Sequence, residues 1–219
     1  MIHPYGMRAP AQGASTIDVL GTASVSAAPD RAIVVLGAMT EGPDLQAIQA
    51  ENAKRIASVI DSLIQLGVPK EQIGTEDYRI EPQYDYKDGS SIFRGYKVTQ
   101  LLQIKTDQIG STGRIVDTAV ANGANTVSSV RFTSEHAERY EQQALSLAVR
   151  NAQMKASVVA QTIGIPLPPT PSLVEELSRT SEQPLYKPAM MAEAGAAATP
   201  IPPGQLTFSS TVRVKYNAP

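Results

Sequence analysis

Apolar and polar residues alternate through "TIDVLGTASVSA", residues 16–27, setting Ile17, Val19, Ala23 and Val25 broadly on one side. That is the two-residue period of a half-buried strand. The next stretch, "DRAIVVLGAMTE" at 30–41, is apolar almost without interruption, as in a strand covered on both faces. Ala27-Ala28-Pro29-Asp30 joins the two. Proline presets φ for a turn and aspartate can accept from nearby amides, so the segment predicts a β-hairpin. Gly21 and Gly37 raise a second question, whether this stretch is a glycine loop holding a phosphate. A phosphate loop needs a lysine and a hydroxyl directly after its last glycine, and no lysine occurs before Lys54. A dinucleotide fingerprint gathers its glycines at a strand-to-helix turn, whereas these two lie inside strands. The glycines are structural.

A helical period follows in "PDLQAIQAENAKRIASVIDSLIQLG", residues 43–67, where Leu45, Ile48, Ile56, Val59, Ile60, Leu63 and Leu66 form one stripe. Pro43 suits the first helical position and Gly67 the left-handed residue beyond the end. Asn52 falls inside the stripe and reads as a buried, hydrogen-bonded amide. Residues 74–85 and 93–106 predict a long hairpin turning at Asp88-Gly89. A second helix, "DQIGSTGRIVDTAVANG", ends at Gly123, and "ANTVSSVRF" follows as a strand. The longest helix runs from about Ser134 to Gly164 with apolar residues on two faces: Tyr140, Ala144, Leu147 and Val158, then Leu145, Val149, Ala152 and Val159. Such width predicts cover on two sides, by a sheet and by a neighbouring subunit or loop. A helix–glycine–strand unit thus recurs three times, the last in "QTIGIPLPPTPSLVEE"; the unequal spacing makes it no solenoid.

The first fourteen residues, punctuated by Pro and Gly, predict a mobile arm. Residues 15–219 read as one domain, with a Pro/Ala-rich excursion over 177–204 before a final strand, "QLTFSSTVRVKYNA". The fold class is α/β in the α+β sense: about seven mostly antiparallel strands and three packed helices. No domain boundary is visible. At 219 residues and 42% hydrophobic content a sizeable core can form. The formal charge of −2 argues against a broad nucleic-acid surface. The longest apolar run, "AIVVLGAM", is too short to cross a bilayer. "MIHPYGMRAPAQGAST" lacks the apolar core of a secretory signal, so a cytoplasmic location is expected of the chain as it stands.

Candidate chemistry is sparse. There is no cysteine, and of the two histidines His3 lies in the arm and His136 at a helix start. No pair at metal-ligand spacing exists, and no tight metal site or cofactor is expected. The serines form no nucleophile elbow, and no catalytic residue is assigned. Glu175 and Glu176 are the carboxylates worth noting, read first as charges ending an edge strand. More informative is the hairpin, where Tyr78, Tyr84, Tyr86, Phe93 and Tyr96 make up five of the chain's eleven aromatic residues. They can pair across the strands or offer a stacking surface to a partner. Asp85 and Asp88 offset the adjacent Arg79, Lys87, Arg94 and Lys97, against a nucleic-acid platform. Within the excursion, Leu185, Tyr186, Met190 and Met191 are apolar enough to dock on something. Candidate interface residues are therefore Tyr84, Tyr86, Phe93, Tyr96, Tyr186, Met190 and Met191.

The ordered series "VLGTASVSAAPDRAIVVLGAMTEG", "NAKRIASVIDSLIQLGVPKEQIGTEDYRIEPQYDY", "GYKVTQLLQIKT", "GANTVSSVRF" and "TPIPPGQLTFSSTVRVKY" resembles the SIMPL-domain family over about residues 16–216. The resemblance implies an α/β fold and, in some members, large ring-like homo-oligomers. It also implies bacterial proteins mostly periplasmic or surface-associated, including an immunogenic envelope protein, with links to oxidative-stress tolerance. It carries over no catalytic residue. The expected function is a non-enzymatic, self-assembling scaffold or binding protein serving envelope integrity or stress response, its partner a second copy of itself. Two alternatives remain: an enzyme using Glu175 and Glu176, and a signalling adaptor engaging through the excursion.

Overall fold

The computed structural model describes residues 15–87, 89–182 and 199–218. Seven strands and three helices follow in the order β1 (Ser15–Ala27), β2 (Arg31–Gly42), α1 (Leu45–Gln65), β3 (Ile73–Lys87), β4 (Ser90–Thr106), α2 (Thr112–Ala121), β5 (Thr126–Thr133), α3 (Ala137–Ile163), β6 (Leu173–Glu182) and β7 (Leu206–Ala218). The mixed α/β class, the seven strands and the three helices are those expected. The strands divide between a three-stranded sheet ordered β1-β7-β6 and a four-stranded sheet ordered β3-β4-β2-β5. Two compact units result, one holding β1, α3, β6 and β7, the other holding β2–β5, α1, α2 and the chain up to Leu206.

In the first unit α3 lies on β1 through a ridge of Ala144, Ala148, Ala152, Ala156 and Ala160, all buried. Alanine at every fourth position keeps one helix face flat, so the helix approaches closely. Gly21 is the strand's counterpart: a Cβ there would lie 2.0 Å from the Ala148 carbonyl oxygen. The interface glycine is thus explained by packing. Lys155 Nζ donates to the Leu20 carbonyl at 2.7 Å and the Thr22 amide to Asn151 Oδ1 at 3.1 Å. Ile17, Val212, Val214 and Tyr216 complete the core, and Tyr140 stacks on Phe208 at 5.3 Å.

The second unit centres on Val34, Leu36, Leu102 and Ile104 from the sheet and Ile56, Val59, Leu63 and Ile115 from the helices. The α1 stripe is as expected, with one change at its start. Asp44, not Pro43, begins the helix, its carboxylate accepting from the Gln46 and Ala47 amides. Gly67 ends it at φ +102. Asn52 is the buried structural amide expected, Nδ2 donating to the Ala38 carbonyl at 3.0 Å and the Val98 carbonyl at 3.4 Å. Gly37 lies at the sheet's centre, where a Cβ would come within 1.9 Å of the Gln100 carbonyl oxygen.

Two expectations are corrected. β1 and β2 form no hairpin: β1 neighbours β7, while β2 pairs antiparallel with β4 and β5. The continuous apolar run of β2 needs strands on both sides. Asp30 serves β5 instead of a turn, its amide donating to the Thr133 carbonyl at 3.1 Å and its carboxylate accepting from the Ser134 hydroxyl and Glu135 amide. Second, the excursion begins later than 177, because β6 continues through Glu182 in register with β7. On α3 the sheet-facing side is the alanine ridge with Leu145 and Val149 packed beside it; Leu147, Met154, Val158, Val159 and Ile163 are exposed on the single chain, the face for which a neighbouring subunit is expected. The final strand is the middle strand of its sheet.

Candidate interaction surface

β3 and β4 form the long hairpin, and its outer part stands beyond the rest of the sheet. β2 accompanies β4 only as far as Gly42 opposite Tyr96. From Tyr84 opposite Phe93 outward, β3 and β4 pair only with each other among the described residues. The arm starts at a bulge between Gln83 and Tyr84, where Arg94 is the extra residue. Gly95 beside it has φ +147, and a Cβ there would sit 2.5 Å from the Gly42 carbonyl oxygen. Glycine is required on both counts. The tip turns at Gly89, φ +78.

At the base of this arm Tyr84, Phe93 and Tyr96, the last opposite Gly42 of β2, form an edge-to-face series, with centroids 5.7 Å apart in the first pair and 5.1 Å in the second, each at 70°. Such pairs contribute about 0.5–1.5 kcal/mol beyond burial, which suits a two-stranded ribbon of marginal intrinsic stability. Cross-strand pairing and surface display therefore coexist. Tyr84, Phe93 and Ile92 remain about half exposed, and Tyr86 is 84% exposed. Tyr78 stands apart, its hydroxyl accepting from Gln49 Nε2 of α1 at 3.0 Å. Several of the hairpin's charges are engaged: Arg94 with Glu41 of β2 and with Asp85, Lys97 with Glu81, Arg79 with Asp77. The other interface candidates, Tyr186, Met190 and Met191, lie outside the described residues, as does Leu185.

Glu175 and Glu176 are successive on β6 and so point to opposite faces. Glu176 pairs with Arg179 at 3.2 Å, which also reaches Glu141 at 3.2 Å. Glu175 lies 3.9 Å from Arg213. His136 is exposed at the cap position of α3, and His3 is outside the described residues. Among the described residues no three His, Asp or Glu side chains cluster in a metal-binding arrangement. A cavity of about 230 Å³ beside the end of α1 includes one carboxylate, Asp107, held by Arg31 at 2.8 Å.

A second cavity, about 420 Å³, lies where the chain returns toward its last strand and is lined by Ile109, Gly110, Gly113, Thr199 and Ile201. Here Thr199 docks on α2, its amide donating to Asp117 Oδ2 at 2.8 Å and its hydroxyl to Oδ1 at 2.5 Å. A Cβ at Gly113 would lie 2.1 Å from the Thr199 carbonyl oxygen, and Ile201 packs against the core. Both hydrogen bonds hold the Asp117 carboxyl below its usual range. The sequence reading missed this contact; Gly113 and Asp117, four apart on one helix face, were its available signal.

Fold and surface together define a class: a mixed α/β protein carrying a projecting aromatic hairpin, with no helix among the described residues long and apolar enough to cross a membrane. The chain belongs to the SIMPL family, described as a protein of unknown function (DUF541), whose profile matches residues 17–216. It is 28% identical over 201 residues to the uncharacterized protein YggE of Edwardsiella ictaluri, covering 90% of this chain and 84% of that protein. It is 28% identical over 167 residues to YggE of Escherichia coli K12, covering 76% and 68%. A 26 kDa periplasmic immunogenic protein of Brucella melitensis is 25% identical over 212 residues, covering 91% and 83%.

Proposed function

We propose that the protein is a self-assembling binding module of the cell envelope, which docks to a second copy of itself through the β3–β4 arm. The observation carrying this reading is the Tyr84–Phe93–Tyr96 series, which runs from the end of β2 onto the projecting ribbon, with Tyr86 beyond it. The pairing within the ribbon leaves Tyr84 and Phe93 about half exposed and Tyr86 largely open to solvent, and aromatic side chains are the favoured anchors of protein interfaces. The exposed residues of α3 add a second apolar surface. A periplasmic location is proposed from the Brucella relative's name; nothing in these likenesses favours the cytoplasmic expectation. A role in envelope integrity or stress tolerance belongs to the same proposal.

The carboxylate-enzyme alternative is less favoured, because Glu175 and Glu176 face opposite ways and each has an arginine partner. The adaptor alternative rests on residues outside the described ones. Light scattering on the purified chain tests the proposal. We expect several times the 23.3 kDa chain mass, and a fall toward that mass in Tyr84→Ser/Phe93→Ser with unchanged circular dichroism. A wild-type monomer at micromolar concentration, or a double variant of undiminished mass, sinks it.

A further inference from the structure

Among the described residues β6 is an outer strand of its sheet, hydrogen-bonded on one side to β7. Its ten residues, "LVEELSRTSE", contain neither proline nor lysine, two usual guards of an open edge. The outer strand β3 carries both, at Pro82 and Lys87. Leu173, Val174 and Leu177 of β6 are each more than 40% exposed.

The strand is also complementary to itself. Val174 and Glu176 oppose Val214 and Val212, and Arg179 opposes Ser210. Val212, Val214 and Ser210 are buried, so these three β6 positions share the face toward α3. Glu175, Ser178 and Thr180 oppose Arg213, Thr211 and Ser209 on the other face. The bulge at Leu177, between Glu176 and Ser178, shifts the alternation by one residue. That shift has a consequence for pairing with an antiparallel copy. When Leu177 of one copy opposes Ser178 of the other, Glu176 opposes Arg179 and Glu175 opposes Thr180. Every one of the charged pairs then lies on matching faces, and two opposite-charge contacts form across the axis. Moving the register by one residue places Arg179 against Glu175, on opposite faces.

We infer that β6 is a two-fold seam, pairing antiparallel with β6 of a second copy in this register. The inference rests on the self-assembly reading and supplies it with a second, isologous contact. Cross-strand opposite charges set the register, and the three apolar side chains lose exposure.

The test is charge complementation. Glu176→Arg gives a strand with arginine at both positions, and Arg179→Glu one with glutamate at both. Each alone repels its own copy, while an equimolar mixture restores opposite charges between copies but not within one. Expected are a smaller species for each variant alone and recovery of the wild-type mass on mixing. Leu177→Lys, which sets like charges beside the axis at an already exposed position, should also reduce the mass while circular dichroism stays unchanged. Single variants of wild-type mass overturn the seam while the hairpin reading stands. So does a reduced mass that mixing fails to restore. A monomeric wild type overturns both.

Discussion

Gly21 carries a sharper constraint than its place in a glycine-bounded, loop-like stretch suggests. The atom a new Cβ would meet is a helix backbone oxygen 2.0 Å away, which cannot rotate aside as a side-chain terminus would. Gly21→Ala must therefore move α3 off β1, or break the ladder, at a cost of about 1–3 kcal/mol from overpacking. Gly74→Ala is the control, since a Cβ there meets nothing within 4 Å. Thermal melts of the two variants should separate clearly, and equal midpoints would show that the close approach is not limiting. The sequence revealed that Gly21 lies in a strand and serves structure, because a phosphate site's missing lysine is a local fact. It could not reveal Ala148 as the reason, since that neighbour lies more than a hundred residues away along the chain. Asn52 divides the same way. Its burial follows from its stripe, but its acceptors on Ala38 and Val98 depend on β2 and β4 being neighbours.

Elements were legible where the period was long and the stop residue present, as in α1 with Gly67 and α3 with Gly164, φ +73. Pairing was not legible for β1 and β2, because a Pro-Asp connection serves a hairpin and a crossing between sheets equally well. The aromatic hairpin succeeded for the opposite reason: its turn and both strands are contiguous. The docking of Thr199 on α2 is intermediate, and it gives a pH prediction. The Asp117 carboxyl is lowered by hydrogen bonds from the Thr199 hydroxyl and then its amide. A lowered folded-state pKa contributes stability that is complete above the ordinary carboxylate value of about 3.9. It is lost as pH falls through the lowered value. Protection of the Thr199 amide from hydrogen exchange should therefore persist at neutral pH and fall on acidification, and Asp117→Ala should abolish it throughout. Protection unchanged in that variant would mean that Ile201 packing alone holds the segment.

At the scale of the whole chain, the two compact units are interleaved rather than sequential, the backbone passing between them after Ala27, Glu135, Glu182 and Leu206. This is why no linker marked a boundary: composition registers a tether between consecutive domains, and here Ala27 and Glu182 end β1 and β6 while Leu206 begins β7. The family match likewise runs through both units, over 17–216. The second unit is nonetheless nearly continuous. Residues 28–135 contain both its helices, all four strands of its sheet and every buried member of its core, from Val34 to Ala124. From outside this span, Ile201 adds a partly buried side chain, and Thr199 adds its contact with Asp117. A segment of about a hundred residues with its own core is of the size that folds alone. We expect a fragment spanning 28–135 to give a mixed α/β circular dichroism spectrum and a cooperative melt. Its midpoint should fall relative to the same unit extended by a linker to residues 199–206, which restores the Thr199 and Ile201 contacts. A fragment that melts without cooperativity, while the extended form melts sharply, would move the returning segment from accessory to essential. If neither form unfolds cooperatively, the unit depends on the remainder of the chain and the two form one folding unit.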